Sequence, residues 1–249
     1  MRKILCVGGA RPNFMKLAPL LAELESSDTY TPLLAHTGQH YDRLMSEIFF
    51  EQLGVPAPDH MLEIGSGTHA QQTAKAMERL EPLLIADPPD LVMVPGDVNS
   101  TVAAALTAVK LGIPVGHIES GLRSYDRTMP EEVNRILTDA IADQLYVHSE
   151  EAIGNLEREN IARDKIHFVG NVMIDSLHDN KAQARDAGAT LREHGLDPAL
   201  LSHAAGYGVV TLHRPSNVDD PQTLAGLMKV LADIARQLPL VFVSHPRTK

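Results

Sequence analysis

The sequence has no tryptophan, one cysteine and few aromatic residues, and these absences exclude several classes of protein. Phe, Trp and Tyr make up only 4% of the 249 residues, which argues against stacking platforms for nucleic-acid bases or long polysaccharides. Cys6 alone cannot form an internal disulfide, so we expect a reducing, cytoplasmic setting. No apolar run reaches the roughly 18 residues of a membrane span, and no signal peptide is predicted.

Acidic residues outnumber basic ones, 32 against 22, which gives a formal net charge of −10. Such a field repels nucleic acid and anionic membranes, so we expect neither as a partner. It also repels a phosphorylated ligand, so any phosphate site must be built locally from basic side chains and backbone N–H groups. Hydrophobic residues at 44% and charged residues at 22% are typical of a globular protein.

Short apolar runs alternate with amphipathic stretches along the first 170 residues, and this rhythm predicts alternating strands and helices. Near-continuous apolar runs indicate burial on both faces, so the predicted fold is α/β, a doubly wound parallel sheet with right-handed crossovers. The predicted strands are Lys3–Val7, Pro32–His36, Leu91–Val94, Val115–Ile118, Gln144–Val147 and His167–Val169. The predicted helices are Phe14–Leu24, Asp42–Leu53, Ala70–Ile85, Thr101–Lys110, Glu131–Ala142 and Glu151–Glu159.

A second α/β pattern begins after Gly170–Asn171 and stays short. Its predicted elements are a helix at Val172–Ala187, a strand at Gly208–Leu212, a helix at Thr223–Gln237 and a strand at Leu240–Ser244. Two strands do not make a stable sheet, since sheets commonly have about 4–6 strands. We therefore predict a first domain over residues 1–170 and an incomplete second domain over residues 171–249.

Ligands of doubly wound folds bind at the carboxyl ends of the strands, so the residues after each strand are the first candidates for a site. Gly8 and Gly9 close the first strand, and Arg11 and Lys16 place cationic groups on the next helix, whose N-terminus favours anions. The same pattern fits a plain strand-to-helix turn with a solvated arginine and lysine. It is neither a GxGxxG fingerprint nor a P-loop, so dinucleotide and ATP sites are poorly supported.

Two acidic residues directly follow predicted strands. Asp97 can either cap the next helix or hold a carboxylate at the cleft for proton transfer. Glu119 follows the next strand along the chain, so its carboxylate emerges at the same edge of the sheet. His117, two residues earlier, is predicted to be a packed core histidine.

The helix after Glu119 opens with further charged residues, Glu131 and Arg135, and Arg123 lies in the loop before it. Thr128 and Glu131 have the spacing of a capping box, in which Glu131 bonds back to the backbone of the N-cap residue. Glu131 is therefore either a cap or a group that handles protons.

Histidines mark two strand ends of the second domain. His213 and Arg214 follow one buried strand, where the histidine can move a proton or bind phosphate, and His245 follows the other. The two histidines of HTGQH, residues 36–40, lie in a turn without a third ligand, so no metal site is predicted.

The chain carries seven motifs that, in this order, resemble those of the UDP-N-acetylglucosamine 2-epimerase family: RPNFMKLAP, TGQHYD, PGDVNST, GHIESGLRS, PEEVNR, VGNVMID and TLHRPSN. The resemblance implies the glycosyltransferase-B architecture of two Rossmann-like domains, a homodimer, and UDP-N-acetylglucosamine and UDP as ligands, with no metal or redox cofactor. It also implies that the chain is a fragment of a longer enzyme, because the family continues into a Ser-Gly-Gly loop that grips UDP. TGQHYD differs from the TAQHRE of allosterically regulated members, which leaves activation by substrate open.

The family reaction is an elimination followed by a re-addition. A base removes the proton on carbon 2 while UDP leaves carbon 1, and 2-acetamidoglucal forms. Proton and UDP then return to give UDP-N-acetylmannosamine, which supplies a surface polysaccharide. The resemblance implies catalytic roles for Asp97, Glu119, Glu131 and His213. We predict substrate-binding roles for Arg11, Lys16, Arg123, Arg135, Arg214 and His245.

Three other functions stay open at this point. A glycosyltransferase of the same architecture would also bind a UDP sugar, although the carboxylate-rich first domain favours proton transfer at the sugar. A hydrolysing epimerase would release UDP and free N-acetylmannosamine. A truncated, non-catalytic protein would bind only a nucleotide sugar or a partner.

Overall fold

The computed structural model describes residues 1–38, 50–244 and 248, and every structural statement below refers to them. They form two compact units, Met1–Ala182 and Gln183–Lys249. His245, motif residues 39–42 and most of the predicted helix Asp42–Leu53 lie outside the described residues.

The first unit is built on a sheet of seven parallel strands. They are β1 (Arg2–Gly8), β2 (Tyr30–His36), β3 (His60–Met61), β4 (Leu91–Pro95), β5 (Val115–Ile118), β6 (Gln144–Val147) and β7 (Ile166–Phe168). Their order across the sheet is β3-β2-β1-β4-β5-β6-β7, and each described pairing is parallel. The order reverses between β1 and β4, which makes this the switch point where doubly wound folds bind ligands. The predicted doubly wound α/β fold is confirmed.

Five of the helices described next lie between these strands, and the sixth follows β7. They are α1 (Arg11–Glu25), α2 (His69–Ala86), α3 (Asn99–Lys110), α4 (Pro130–Ile141), α5 (Glu150–Arg158) and α6 (Val172–Lys181). Helices α2, α3 and α4 pack side by side, and α1 packs against α6. Local signals explain where several of them begin. The Thr68 hydroxyl accepts from the Gln71 backbone N–H at 3.3 Å, and the Ser149 hydroxyl accepts from that of Ala152 at the same distance.

Alternate residues of β1 lie in two different hydrophobic clusters. Leu5 and Val7 pack in one cluster with apolar residues of α2 and α3. Ile4 and Cys6 pack in the other, which includes Phe14 of α1. Because successive residues of a strand face opposite sides of the sheet, helices cover both faces. This is why the strands read as continuous apolar runs rather than as alternating ones.

The second unit is smaller. Its described elements are α7 (Ala187–Glu193), β8 (Gly208–Val210), α8 (Pro215–Val218), α9 (Pro221–Ala235) and β9 (Leu240–Phe242). Strands β8 and β9 pair in parallel as a two-stranded sheet. No described residue of α9 is buried, and Val209 of β8 is exposed. The incompleteness of the second Rossmann-like domain and a domain boundary at Gly170–Asn171 both stay predictions.

One predicted helix is wrong in extent, and one short strand was missed. The predicted helix Val172–Ala187 is two helices, because α6 ends at Lys181 and the Asp186 carboxylate caps a new helix by accepting from the Ala189 N–H at 2.7 Å. Strand β3 was not predicted because two residues carry too little pattern to indicate a strand. Ser176 of α6 donates its hydroxyl proton to the Met15 carbonyl, so this helix is attached to α1.

Candidate active site

The glycine turn between β1 and α1 is held to the end of β4 by one amide side chain. Oδ1 of Asn13 accepts from the backbone N–H groups of Gly9 and Ala10 at 3.0 and 2.9 Å. Its Nδ2 donates to the Pro95 carbonyl at 3.1 Å. Asn13 is itself buried, so the two strand ends at the switch point are joined by a side chain that water does not reach.

An ion pair joins Lys16 of α1 to Glu119, the residue that follows β5. Lys16 is buried and Glu119 is partly exposed, so the pair lies at the edge of the sheet with its carboxylate accessible. Glu119 adopts a left-handed backbone conformation with φ +68°, which is uncommon for a residue other than glycine and typical of functional sites. Gly96, also at φ +68°, lies close by, and a Cβ atom there would be 3.1 Å from Lys16 Nζ.

A second group of charges surrounds Asp97, which follows β4. One nitrogen of the Arg135 guanidinium pairs with the Asp97 carboxylate, and the other lies 2.6 Å from Glu132 Oε2. Asn134 donates to the Asp97 backbone carbonyl at 2.9 Å. Helix α3 starts at Asn99 with Val98 as its N-cap, so the alternative role of Asp97 as a cap is wrong. Its carboxylate is instead partly exposed beside a cation.

Glu131 and Glu132 are neighbours at the start of α4 with opposite surroundings. Glu132 is buried, and its carboxylate accepts from the backbone N–H groups of Ser124 and Tyr125, both at 3.0 Å. Burial would raise the pKa of Glu132, but these bonds and Arg135 hold it below its ordinary value. Glu131 is exposed, and among the described residues its carboxylate has no hydrogen-bond or ion-pair partner.

The predicted capping box at the start of α4 is wrong. The helix begins after Met129, which offers no side-chain cap. Thr128 turns to Asp126 instead and donates to its Oδ1 from both the backbone N–H at 2.9 Å and the hydroxyl at 2.6 Å. Glu131 therefore has no capping role, and its carboxylate is free for another one.

Arg123 is engaged by two carboxylates. Its side chain is buried, 2.8 Å from Asp139 Oδ2, and it makes two further hydrogen bonds, of 2.7 and 2.6 Å, to the Glu159 carboxylate. Burial opposes its charge, but the hydrogen bonds to Glu159 and the charge of Asp139 raise the pKa of Arg123 above its ordinary value. These contacts engage the whole guanidinium in holding loops together.

Three other predicted residues lie next to helix starts. Arg11 is the exposed first residue of α1, just beyond the glycine turn. His213 and Arg214 are exposed between β8 and α8 in the second unit. The described structure thus brings together Lys16 with Glu119 and Asp97 with Arg135, at the ends of two neighbouring strands.

Sequence reasoning missed several residues that shape the site. A small cavity beside the Lys16–Glu119 pair is also lined by His148 and Asn171, which follow β6 and β7. The rule that sites lie at strand ends points to both. A pattern in the sequence could also have identified Glu132 and Asp139. Together with Arg135 they are spaced three and four residues apart, which places all three on one face of α4.

Comparison with known proteins decides the family. The family model described as UDP-N-acetylglucosamine 2-epimerase matches residues 22–249. The chain belongs to this family. Among its relatives, the UDP-2,3-diacetamido-2,3-dideoxy-D-glucuronate 2-epimerase of Pseudomonas aeruginosa is 42% identical over 99% of the chain and 68% of the relative. The UDP-N-acetylglucosamine 2-epimerase of Methanocaldococcus jannaschii is 40% identical over 99% of the chain and 67% of the relative.

Solved structures of family members confirm the fold. The M. jannaschii enzyme in complex with UDP-GlcNAc and UDP superimposes with a TM-score of 0.84 at 39% identity, over 100% of the chain and 67% of that structure. The Neisseria meningitidis enzyme bound to UDP-GlcNAc gives 0.84 at 29% identity, over 99% of the chain and 67% of that structure. A Streptomyces glycosyltransferase, at 12% identity and a TM-score of 0.50, shares the fold alone. The glycosyltransferase-B-like fold class is confirmed, and the chain spans about two thirds of its relatives.

Two further findings concern membranes and metals. No helix in the described part of the chain combines the length and the hydropathy that crossing a membrane requires. Among residues 1–38, 50–244 and 248, no three His, Cys, Asp or Glu side chains are grouped so as to hold a metal ion. A reaction without a metal stays a prediction.

Proposed function

We propose that the protein epimerises carbon 2 of a UDP-linked 2-acetamido sugar, with UDP-N-acetylglucosamine and UDP-N-acetylmannosamine as the two partners of a reversible reaction. The observation that carries the proposal is the pair of carboxylates, Asp97 and Glu119, at the ends of neighbouring strands beside the switch point. Each carboxylate is paired with a cation and partly exposed. The proposal applies to the whole protein, of which this chain supplies the part described above.

The reaction needs an acceptor for the carbon-2 proton and positive charge for the departing diphosphate. As the C2–H bond breaks, its electrons form the C1=C2 double bond and the C1–O bond to UDP breaks, leaving 2-acetamidoglucal and UDP. Asp97 and Glu119 are the candidates to take and return the proton, and each correctly placed acid or base contributes about 10²–10⁴ in rate. Lys16 and Arg135 lie directly beside them and can stabilise the anion that leaves.

Other predicted residues complete the proposed site. Glu131, exposed and without a cap to make, is a third candidate for proton transfer. Arg11 and the residues of the second unit, His213, Arg214 and His245, are assigned to the nucleotide sugar. Arg123 is left out of the proposed binding set because Asp139 and Glu159 engage its guanidinium.

The cellular setting is part of the proposal. We infer a homodimer in the cytoplasm that supplies N-acetylmannosamine units for a surface polysaccharide, without a metal or redox cofactor. Light scattering of the purified protein tests the oligomeric state, and a monomer at micromolar concentration would contradict it.

The name of one relative favours a second substrate for this protein. The Pseudomonas aeruginosa relative, 42% identical, acts by its name on a UDP-linked 2,3-diacetamido glucuronate rather than on UDP-N-acetylglucosamine. Both sugars carry the 2-acetamido group next to the carbon that loses UDP, so the same carboxylates serve either. The two substrates differ at carbons 3 and 6.

The test is incubation with each nucleotide sugar in D₂O, followed by NMR. We expect deuterium at carbon 2, a mixture of the two epimers with UDP attached, and a preference for one sugar in kcat/KM. The experiment uses the 249-residue chain, any longer chain that the gene encodes, and D97N as the inactive control. Free UDP with free N-acetylmannosamine would indicate a hydrolysing enzyme. Absence of exchange with both sugars in both chains would refute the proposal and favour a transferase or a binding protein.

A further inference from the structure

His117 of β5 is completely buried, yet both of its ring nitrogens are hydrogen-bonded. Nε2 lies 2.7 Å from the carbonyl oxygen of Gly96, and Nδ1 lies 2.6 Å from Oδ1 of Asp139 on α4. The prediction of a buried histidine is confirmed. The ring does more than fill space, because these two bonds join the loop after β4 to helix α4.

The partners determine where the protons of the ring lie. A carbonyl oxygen only accepts, so Nε2 donates to Gly96. Asp139 accepts from the Gly121 N–H at 3.0 Å and lies 2.8 Å from the Arg123 guanidinium. Burial would raise the pKa of Asp139, but the charges and hydrogen bonds of His117 and Arg123 hold it below its ordinary value. The Asp139 carboxylate therefore accepts from Gly121 and Arg123 and pairs with Nδ1 of the ring.

Acidic and basic side chains alternate around this ring. Asp139 lies between His117 and Arg123, and Arg123 lies between Asp139 and Glu159. A buried charge is stable only when it is paired and hydrogen-bonded, and this row meets both conditions.

The His117–Asp139 pair fixes the backbone of two turns. Through His117 it holds the carbonyl of Gly96, whose φ is +68° and whose next residue is Asp97. Through Asp139 it holds the N–H of Gly121, whose φ is +79° and which lies two residues after Glu119. Asp97 and Glu119, the proposed proton carriers, thus lie within two residues of backbone groups that His117 and Asp139 hold in place.

We propose that His117 is a positioning residue of the site: held by Asp139, its Nε2–H fixes the Gly96 carbonyl and with it the carboxylate of Asp97 relative to that of Glu119. The inference rests on the proposed function and deepens it. Neither His117 nor Asp139 is exposed, so both act through the turns that they hold and not by touching the substrate.

Three variants test whether the His117 ring acts as a hydrogen-bond donor or only fills space. H117F keeps an aromatic ring but has no donor, and H117Q can place an amide N–H near the position of Nε2. H117N retains a donor for Asp139 but is too short to reach Gly96, and it replaces H117F if that variant does not fold. H178Q, which changes an exposed histidine of α6, is the control. All are made in the chain that shows turnover.

We expect H117F to lower kcat about 10²-fold, the cost of misplacing a reacting group by roughly 1 Å, with little change in KM. H117Q should recover most of this loss, and H178Q should match the wild type. The ring ¹⁵N spectrum of His117 in the wild type should show a proton on Nε2, the donor to Gly96.

Specific outcomes overturn the inference. An H117F enzyme as active as the wild type, or an H117Q enzyme as impaired as H117F, contradicts the positioning role. A ring without a proton on Nε2 contradicts the assignment of Nε2 as the donor to Gly96. A wild type that is inactive on both nucleotide sugars refutes the proposed function instead, so the two failures are distinguishable.

Discussion

The E132Q variant should unfold at a much lower temperature than the E131Q variant, in which the neighbouring glutamate is changed. The Glu132 carboxylate accepts from Ser124 and Tyr125 and pairs with Arg135. A glutamine side chain has one oxygen and one NH₂ group. Whichever way the amide turns, its NH₂ meets at least one N–H donor.

The cost follows from counting these bonds. A buried donor left unsatisfied costs about 1–3 kcal/mol, and two bonds that lose their charge each weaken by about 1 kcal/mol. The sum, about 3–5 kcal/mol, agrees with the measured cost of breaking a buried ion pair. For a unit of this size each kcal/mol lowers Tm by about 2–4 °C, so E132Q should unfold about 6–20 °C below the wild type.

The assay is thermal unfolding followed by circular dichroism, with E131Q as the matched control. Glu131 is exposed, so E131Q should unfold within about 0.5 kcal/mol of the wild type while losing carbon-2 exchange. The pKa of Glu132 is lowered in the folded state, so its contribution is present above the ordinary carboxyl pKa of about 4.3 and is lost as pH falls below it. The difference in Tm between wild type and E132Q should therefore shrink on acidification. Equal Tm values for E131Q and E132Q at pH 7 would refute the reasoning.

Three further predictions concern residues around the site and in the core. K16M should lower kcat because Glu119 loses its cation, whereas K110M, at the end of α3, should be silent in the same steady-state assay. G96A and G112A both place a side chain at positive φ, at a cost of about 1–2 kcal/mol, but only the Cβ at residue 96 comes near the Lys16 amine. Only G96A should therefore lose activity as well as stability, and equal activities would contradict the assigned geometry. Burial raises the pKa of the Cys6 thiol to about 12, so a thiol reagent at pH 8 should react only with the unfolded chain; fast labelling of the native protein would show that β1 is accessible.

Much of the first unit was predictable because its strands are buried on both faces. Continuous apolar runs such as Leu91–Val94 carry a strong local signal, and the observed strand differs by one residue. The short strand β3 has no such signal, since it consists of His60 and Met61 alone. The break between α6 and α7 was also missed, because the capping bond of Asp186 interrupts a stretch in which helix formers continue on both sides.

Those site residues that directly follow a strand were predictable from their position in the sequence. Asp97 and Glu119 follow strands, and neighbouring parallel strands bring such residues to one edge whatever the details of packing. The surroundings of Arg123 were not predictable in this way. Its loop position suggested a ligand, and its contacts with Asp139 of α4 and with Glu159, just after α5, were not expected. A contact between distant parts of the chain has no local pattern.

The sequence left open whether Glu131 caps its helix. A capping box requires Thr128 to face the helix, and the competing carboxylate of Asp126 engages it instead. Ser, Thr, Asn and Asp all compete for nearby backbone groups, so a spacing that permits one cap often permits another turn. The Glu132 carboxylate binds the loop before α4 by accepting from the N–H groups of Ser124 and Tyr125, whereas Glu131 is exposed.

The buried ion pair of Arg123 and Asp139 also limits how this protein can change through evolution. Loss of Asp139 or Arg123 alone leaves a buried charge without its partner, at a cost of about 3–5 kcal/mol out of the 5–15 kcal/mol that folded proteins commonly have. A replacement that removes the cation and its anion together avoids that cost. The two positions, one in a loop and one in α4, are thus constrained to vary together, and a homologue that lacks one of them is expected to lack its partner as well.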